Sequence, residues 1–161
     1  MNPNTLAGTE FEKPRGVSRV DVRRGFTQVH VTDLSTPLAD SRLKVLMAIT
    51  DAGVSLDFLK LTQNGVSFLV SEPSAGKAQS ALAKVGVSVS MQPECGIVLI
   101  HAVNLRDEEG LVARLVSIAI REGVPVEHLS DMHDRLLLVT ASAEADRLAA
   151  VYRQELMGGA A

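Results

Sequence analysis

Cysteine is almost absent from this chain. Cys95 stands alone, so no internal disulfide can form and no Cys-Cys metal pair exists, which removes disulfide scaffolds and zinc ribbons. Aromatic residues make up 3% of the sequence, with no Trp and one Tyr, leaving little on which nucleic-acid bases could stack. An excess of positive charge is missing as well. Sixteen Lys and Arg against 19 Asp and Glu give a net charge of −3, so no global field draws in a phosphate backbone. Direct binding of nucleic acid is therefore not expected. No apolar run approaches the roughly 20 residues that cross a bilayer. Residues 1–13 are polar and of mixed charge, without the basic-then-apolar order of a signal peptide. The expectation is a soluble, cytoplasmic protein that makes no membrane contact.

What is present is a globular composition, 46% hydrophobic and 22% charged, at a length that suits one ordinary domain or two small ones sharing a core. An internal repeat decides between these. Slid against itself by 70 positions, the chain lays Asp51-Ala-Gly-Val-Ser-Leu-Asp-Phe-Leu59 over Arg121-Glu-Gly-Val-Pro-Val-Glu-His-Leu129 without a gap. Val45 and Leu46 then meet Leu115 and Val116, and Val66, Phe68 and Leu69 meet Leu136, Leu138 and Val139. A duplication is the simplest account.

Each copy reads alike. In the first, residues 26–32 form a strand, 42–52 an amphipathic helix, 55–61 and 65–70 a strand pair, and 75–85 a second helix. Ala78, Ala81, Leu82 and Val85 fall on one helical face, Gly53 and Gly86 stand where a helix end wants a left-handed residue, and Asn64-Gly65 marks a hairpin. Val87, Val89 and Met91 alternate with polar residues as a fourth strand with one buried face. In the second copy the strand at 95–103 leads to a helix lined by Leu111, Val112, Leu115, Val116 and Ala119. Strands follow at 126–130 and 135–140, then a helix from Ser142 with Ala145, Leu148, Ala149, Tyr152 and Leu156 as its apolar stripe. Residues 157–161 offer no fourth strand. Residues 16–22, which carry Val17, Val20 and Val22, are expected to supply it by crossing over, so that the first unit is inserted in the second.

This repeated βαββαβ order resembles the ACT domain family, and more narrowly the paired regulatory domains at the C-terminus of aspartokinases. The residues that carry the resemblance are Arg15-Gly-Val-Ser-Arg-Val-Asp21, Ala52-Gly-Val-Ser-Leu-Asp57, Gly110-Leu-Val-Ala-Arg-Leu-Val116 and Glu122-Gly-Val-Pro-Val-Glu-His-Leu-Ser130, in that order and spacing. It covers residues 15–156, nearly the whole chain. It implies an α+β fold of tandem ferredoxin-like βαββαβ (ACT) units, with antiparallel four-stranded sheets and two helices on one face. Residues 1–14 would then be a flexible tail, 15–24 the strand completing the second unit, 25–92 the first unit, 93–156 the second and 157–161 a tail.

The family's ligand sits between ACT units, at the loop after the first strand, the start of the first helix and the start of the second strand. Unbonded N–H groups and the positive end of a helix dipole suit an amino acid's carboxylate, and an acidic side chain suits its ammonium. In the second copy the resemblance implies Asn104, Arg106, Asp107, Gly110, Leu111, Glu127 and Ser130 as ligand-binding residues. The first copy departs from the pattern. Where the family commonly has Asp-x-Pro-Gly, Ala39 and Asp40 stand at the Pro-Gly position, and Leu61 replaces a glutamine. A carboxylate at Asp40 would cap the helix and repel an incoming carboxylate, since unit charges about 4 Å apart interact by roughly 1 kcal/mol even in water. The candidates here are Asp33, Ser35, Thr36, Asp40, Ser55 and Asp57. The alternative is that Asp33, Asp40 and Asp57 are a helix cap and solvated loop acids.

Other chemistry is thinner. Asp131-Met-His-Asp134 near His128 has metal-ligand residue types but reads as a surface turn. Glu72-Pro-Ser-Ala-Gly-Lys77 lacks both the first glycine and the hydroxyl residue of a phosphate loop, His30 reads as a sheet-face residue of the first strand, and Cys95 has no acid–base partner placed by sequence. No metal and no cofactor is expected, and no enzyme activity, since no nucleophile–base set or metal site can be assembled from these residues. The resemblance implies a regulatory protein that binds an amino acid, forms a homodimer and modulates a partner enzyme such as aspartokinase. The alternatives are an interaction module that binds no ligand, and a transcription-linked ACT regulator that reaches DNA through a partner.

Overall fold

The structure, a computed structural model, describes residues 15–158. Strand β1 spans Gly16–Thr32 and is followed by helix α1, Leu38–Asp51, and strands β2, Asp57–Leu61, and β3, Val66–Ser71. A 3-10 turn at Glu72–Ser74 leads into α2, Ala75–Lys84, and then β4, Ser88–Val103. The chain continues with α3, Leu111–Arg121, β5, His128–Asp131, β6, Arg135–Ala141, and α4, Ser142–Met157.

The α+β class holds, but the sheet differs from expectation. In place of two four-stranded sheets, six strands hydrogen-bond in the order β2-β3-β1-β4-β6-β5. The reason lies in the two long strands. Residues 16–22 and 26–32 run on as one 17-residue strand, and residues 88–91 and 95–103 as one 16-residue strand. Gly25 at φ +82° and Glu94 at φ +57° are left-handed residues within these two strands.

The described residues form two compact units, one of Arg23–Ile97 with Ala141–Ala143, the other of the segment up to Val22, Val98–Thr140 and the chain from Glu144 onward. In the unit built on residues 23–97, β1 and β3 pair antiparallel with Val29 opposite Phe68 and Val31 opposite Val66. Their alternate side chains, with Val70, meet Val45 and Ile49 of α1 and Ala78 and Leu82 of α2 in one apolar cluster. Alternate side chains of the strands and one face of each helix thus converge on this core, while Thr27, Gln28, Ser67 and Leu69 on the other side of the strands are buried as well. The β2–β3 pairing is interrupted by a bulge between Asp57 and Lys60.

In the other unit, Val98, Ile100 and Ala102 of β4 and Leu136 and Leu138 of β6 pack with Leu115, Ile118 and Ala119 of α3 and Leu148, Ala149 and Tyr152 of α4. Val20 belongs to this cluster, 3% exposed, and Arg153 donates two hydrogen bonds to its carbonyl at 2.7 and 3.2 Å. The first-helix ends repeat bond for bond: Val54 N–H to Ile49 O at 3.2 Å, and Val124 N–H to Ala119 O at 3.1 Å.

Candidate ligand-binding site

The gap-free offset of 70 does not extend to the loops that matter most. After β1 the backbone turns at Asp33, φ +55°, and Leu34 N–H donates to Asn64 O at 3.0 Å. After β4 it turns at Asn104, φ +52°, and Leu105 N–H donates to His133 O at 2.9 Å. Leu34 and Leu105 are both buried, so the equivalence in this stretch is one residue out of step with the rest. The connection to α3 is also longer, residues 104–110 against residues 33–37 before α1.

That shift relocates Asp40. Pro37 occupies the N-cap of α1 with no side-chain cap bond, and Asp40 lies inside the first helical turn, exposed. The expected capping role is therefore absent, because the helix starts before Asp40. Ser41 ties the loop instead, its hydroxyl donating to Ser35 O at 2.7 Å and lying 3.1 Å from Ser35 Oγ. Asp33 accepts from Thr32 Oγ1 at 3.1 Å and from the Asn64 amide at 3.4 Å. Asp33, Ser35, Ser41, Lys44 and Ser88 line a hollow of about 230 Å³. Thr36 and Ser55 are exposed and do not line this hollow. Asp57 is drawn elsewhere, 3.7 Å from the guanidinium of Arg23, which lies over the Phe26 ring. Register explains the separation: Asp57 stands opposite Leu69, which stands opposite Gln28, well back along β1 from Asp33.

In the second copy, Gly110 holds the N-cap of α3 at φ +74°, a backbone that suits glycine. Leu111 turns its side chain into the core, 6% exposed, and its N–H donates to Glu108 O at 3.2 Å. Arg106 is committed to Asp131, Nε to Oδ2 at 2.9 Å and Nη2 to the main-chain carbonyl at 3.2 Å. Asn104 and Asp107 line a hollow of about 460 Å³ with Arg15, Glu108 and Glu109. Glu127 and Ser130 stay apart from it. Glu127 N–H donates to Val139 O at 2.8 Å at the start of β5, and Ser130 pairs with Leu137. The loop thus meets the C-terminal end of β5, at Asp131, and not its start.

A larger hollow, about 590 Å³, was not anticipated; Ser18, Arg19, His101, Asn104, His133 and Asp134 contribute to it. His101 Nε2 sits 3.1 Å from Asp21 Oδ2 and 3.2 Å from Arg19 Nη2, while Arg19 Nε reaches Asp21 at 2.7 Å. The two hydrogen bonds from the Arg135 guanidinium, with the charge of His101 acting at longer range, hold the Asp134 carboxyl below the usual carboxylate range. Only the parity of β4 hinted at this site, since Val98, Ile100 and Ala102 face the core and leave His101 on the opposite face. No group of three metal-ligating side chains forms among the described residues, the His128–Asp134 stretch included.

Three solved structures share this architecture. The regulatory subunit of aspartate kinase from Thermus thermophilus superposes with a TM-score of 0.77 at 19% identity, covering 87% of this chain and 97% of that one. The chain has the fold of these regulatory subunits. The Thermus flavus regulatory subunit gives 0.75 at 18% identity, with 87% and 98% covered. Aspartate kinase from Clostridium acetobutylicum gives 0.75 at 13%, the match covering 88% of this chain and 36% of that much longer one. No family model and no curated protein matches the sequence. No helix among the described residues is long and apolar enough to cross a membrane.

Proposed function

We propose that this chain is a regulatory module of tandem ACT units that binds an amino acid and modulates a partner enzyme of the aspartokinase type, without catalysis of its own. One observation carries the reading: the fold matches regulatory subunits over 87% of this chain and 97–98% of theirs. Residues 15–24 then belong to the second unit, 25–92 form the first and 93–156 the second. Of the loop residues that the resemblance implies, Asp33 and Ser35 in the first copy and Asn104 and Asp107 in the second line a hollow. A ligand shifts the partner's state by no more than its differential affinity for the two states. Self-association is supported by exposed apolar side chains at Leu43 and Met47 of α1 and at Leu59 and Leu61 of the edge strand β2.

Isothermal titration of the full chain against each common L-amino acid tests the reading, with saturable heat from at least one as the expected result. Heat from none removes the sensing role.

A second reading, an interaction module without ligand, draws on a different observation. Arg106 and Asp57 are already paired within the chain, and Leu111 is buried, so three expected contacts are spent on the fold itself. Stable association with an aspartokinase catalytic chain, unchanged by any amino acid, selects that reading.

A further inference from the structure

We infer that the hollow flanked by Arg19, His101, Asn104, His133 and Asp134 is an amino-acid site, one that recognises the zwitterionic main-chain end of its ligand. The inference rests on the amino-acid-binding reading and gives it a location that shares only Asn104 with the loop–helix positions the resemblance implies.

Three observations point there. The first is charge. A zwitterion needs a cation for its carboxylate and an anion for its ammonium within one small space. The hollow beside Asp107 sets Glu108 and Glu109 with it against the single guanidinium of Arg15, an excess of negative charge that turns a carboxylate away. The hollow at Arg19 balances that guanidinium against Asp134, with two imidazoles beside them. The second is size. About 590 Å³ falls within the range of roughly 300–1,000 Å³ usual for small-molecule sites. The 230 Å³ beside Asp33 and Lys44 falls below it.

The third observation is that polar groups here keep bonding capacity to spare: Asp134, though it accepts from Arg135 through both oxygens, retains lone pairs. Arg19 uses Nε on Asp21 and Nη2 against His101, which holds the guanidinium plane while its Nη1 makes no bond among the described residues. Its side chain is 65% exposed, so the fork is open, while of its two anchors Asp21 is 43% exposed and His101 18%. The His133 imidazole and the Asn104 carboxamide have no hydrogen-bond partner among the described residues. Arg19 and the Asn104 amide suit the carboxylate, and Asp134 suits the ammonium, each by charge-assisted hydrogen bonds. Asp21 and His101 act as positioning residues for Arg19.

The test follows the ring resonances of His101 and His133 in the full chain by NMR during titration with each common L-amino acid. Acetate and methylammonium serve as carboxylate-only and ammonium-only probes. At least one amino acid is expected to shift both rings saturably, with neither fragment matching its affinity. Arg19→Gln should weaken that binding by about tenfold or more, as loss of one charge-assisted bond implies. His133→Gln should weaken it less, and Lys77→Gln, a surface change on α2, should leave it unaltered. Calorimetric binding with both rings unmoved and Arg19→Gln as tight as wild type overturns the inference while the regulatory reading stands. Acetate binding as tightly as the amino acid overturns the zwitterion assignment, and heat from no amino acid ends both.

Discussion

Gly53 and Gly123, seventy positions apart, hold the same backbone conformation, φ +66° and φ +67°, one residue past the C-caps of α1 and α3. Each donates its N–H back into the last turn, Gly53 to Thr50 O at 2.9 Å and Gly123 to Ile120 O at 3.0 Å. A Cβ at either would meet nothing within 4 Å, so an alanine there costs backbone energy alone. Gly53→Ala and Gly123→Ala should each lose about 1–2 kcal/mol, the left-handed penalty of an L-residue. Urea unfolding checks this, with two similar losses as the expected result.

Gly65 fails for a different reason. Its Cβ would stand 1.9 Å from Val31 O, at the end of the β1–β3 ladder, and backbone cannot give way as a side-chain tip can. Gly65→Ala should cost more than either change above, about 3 kcal/mol or beyond, in the class of diagnostic core defects. A thermal melt no lower than that of Gly53→Ala would refute it.

Gln28 is fully buried on β1, and neither end of its amide finds a hydrogen bond among the described residues. A buried amide left unsatisfied costs about 1–3 kcal/mol. Gln28→Met, close in shape and without the polar pair, should therefore stabilise the protein by about 1 kcal/mol or more. Chemical denaturation at neutral pH measures it.

Tyr152, the single tyrosine, is fully buried, and its hydroxyl donates to Leu115 O at 2.6 Å. Burial pushes the phenol well above its ordinary value of 10.0. The folded state thus holds its proton where the unfolded chain releases it. Stability from this group is complete below the ordinary phenol range and falls as pH rises through and beyond it. Tyr152→Phe should lose about 1 kcal/mol at neutral pH and flatten that alkaline fall. An absorbance titration should show phenolate forming only as the protein unfolds.

Val20 couples the leading strand to the second core. Val20→Ala removes about two methylenes' worth of buried surface and should cost about 2 kcal/mol. Deleting residues 1–22 should cost more, since it also strips the carbonyl that Arg153 binds twice. A deletion that melts with the full chain would disprove this.

The chain's own order of residues was enough for much of this. Alternation at Val29 and Val31, the helical stripe through Leu115 and Ala119, Asn64-Gly65 and the glycines after α1 and α3 are local signals, because period, turn geometry and left-handed φ act within a few residues. So was the duplication. Other outcomes needed the folded chain. That residues 16–32 form one strand depends on hydrogen bonds to partners far away in sequence, which let the ladder continue through Gly25. Arg106 pairs with Asp131, 25 residues on, because the loop meets the far end of β5. The chain of Asp21, His101 and Arg19 spans about eighty positions. No spacing rule reaches so far, since cross-strand register, not sequence distance, decides which side chains share a face.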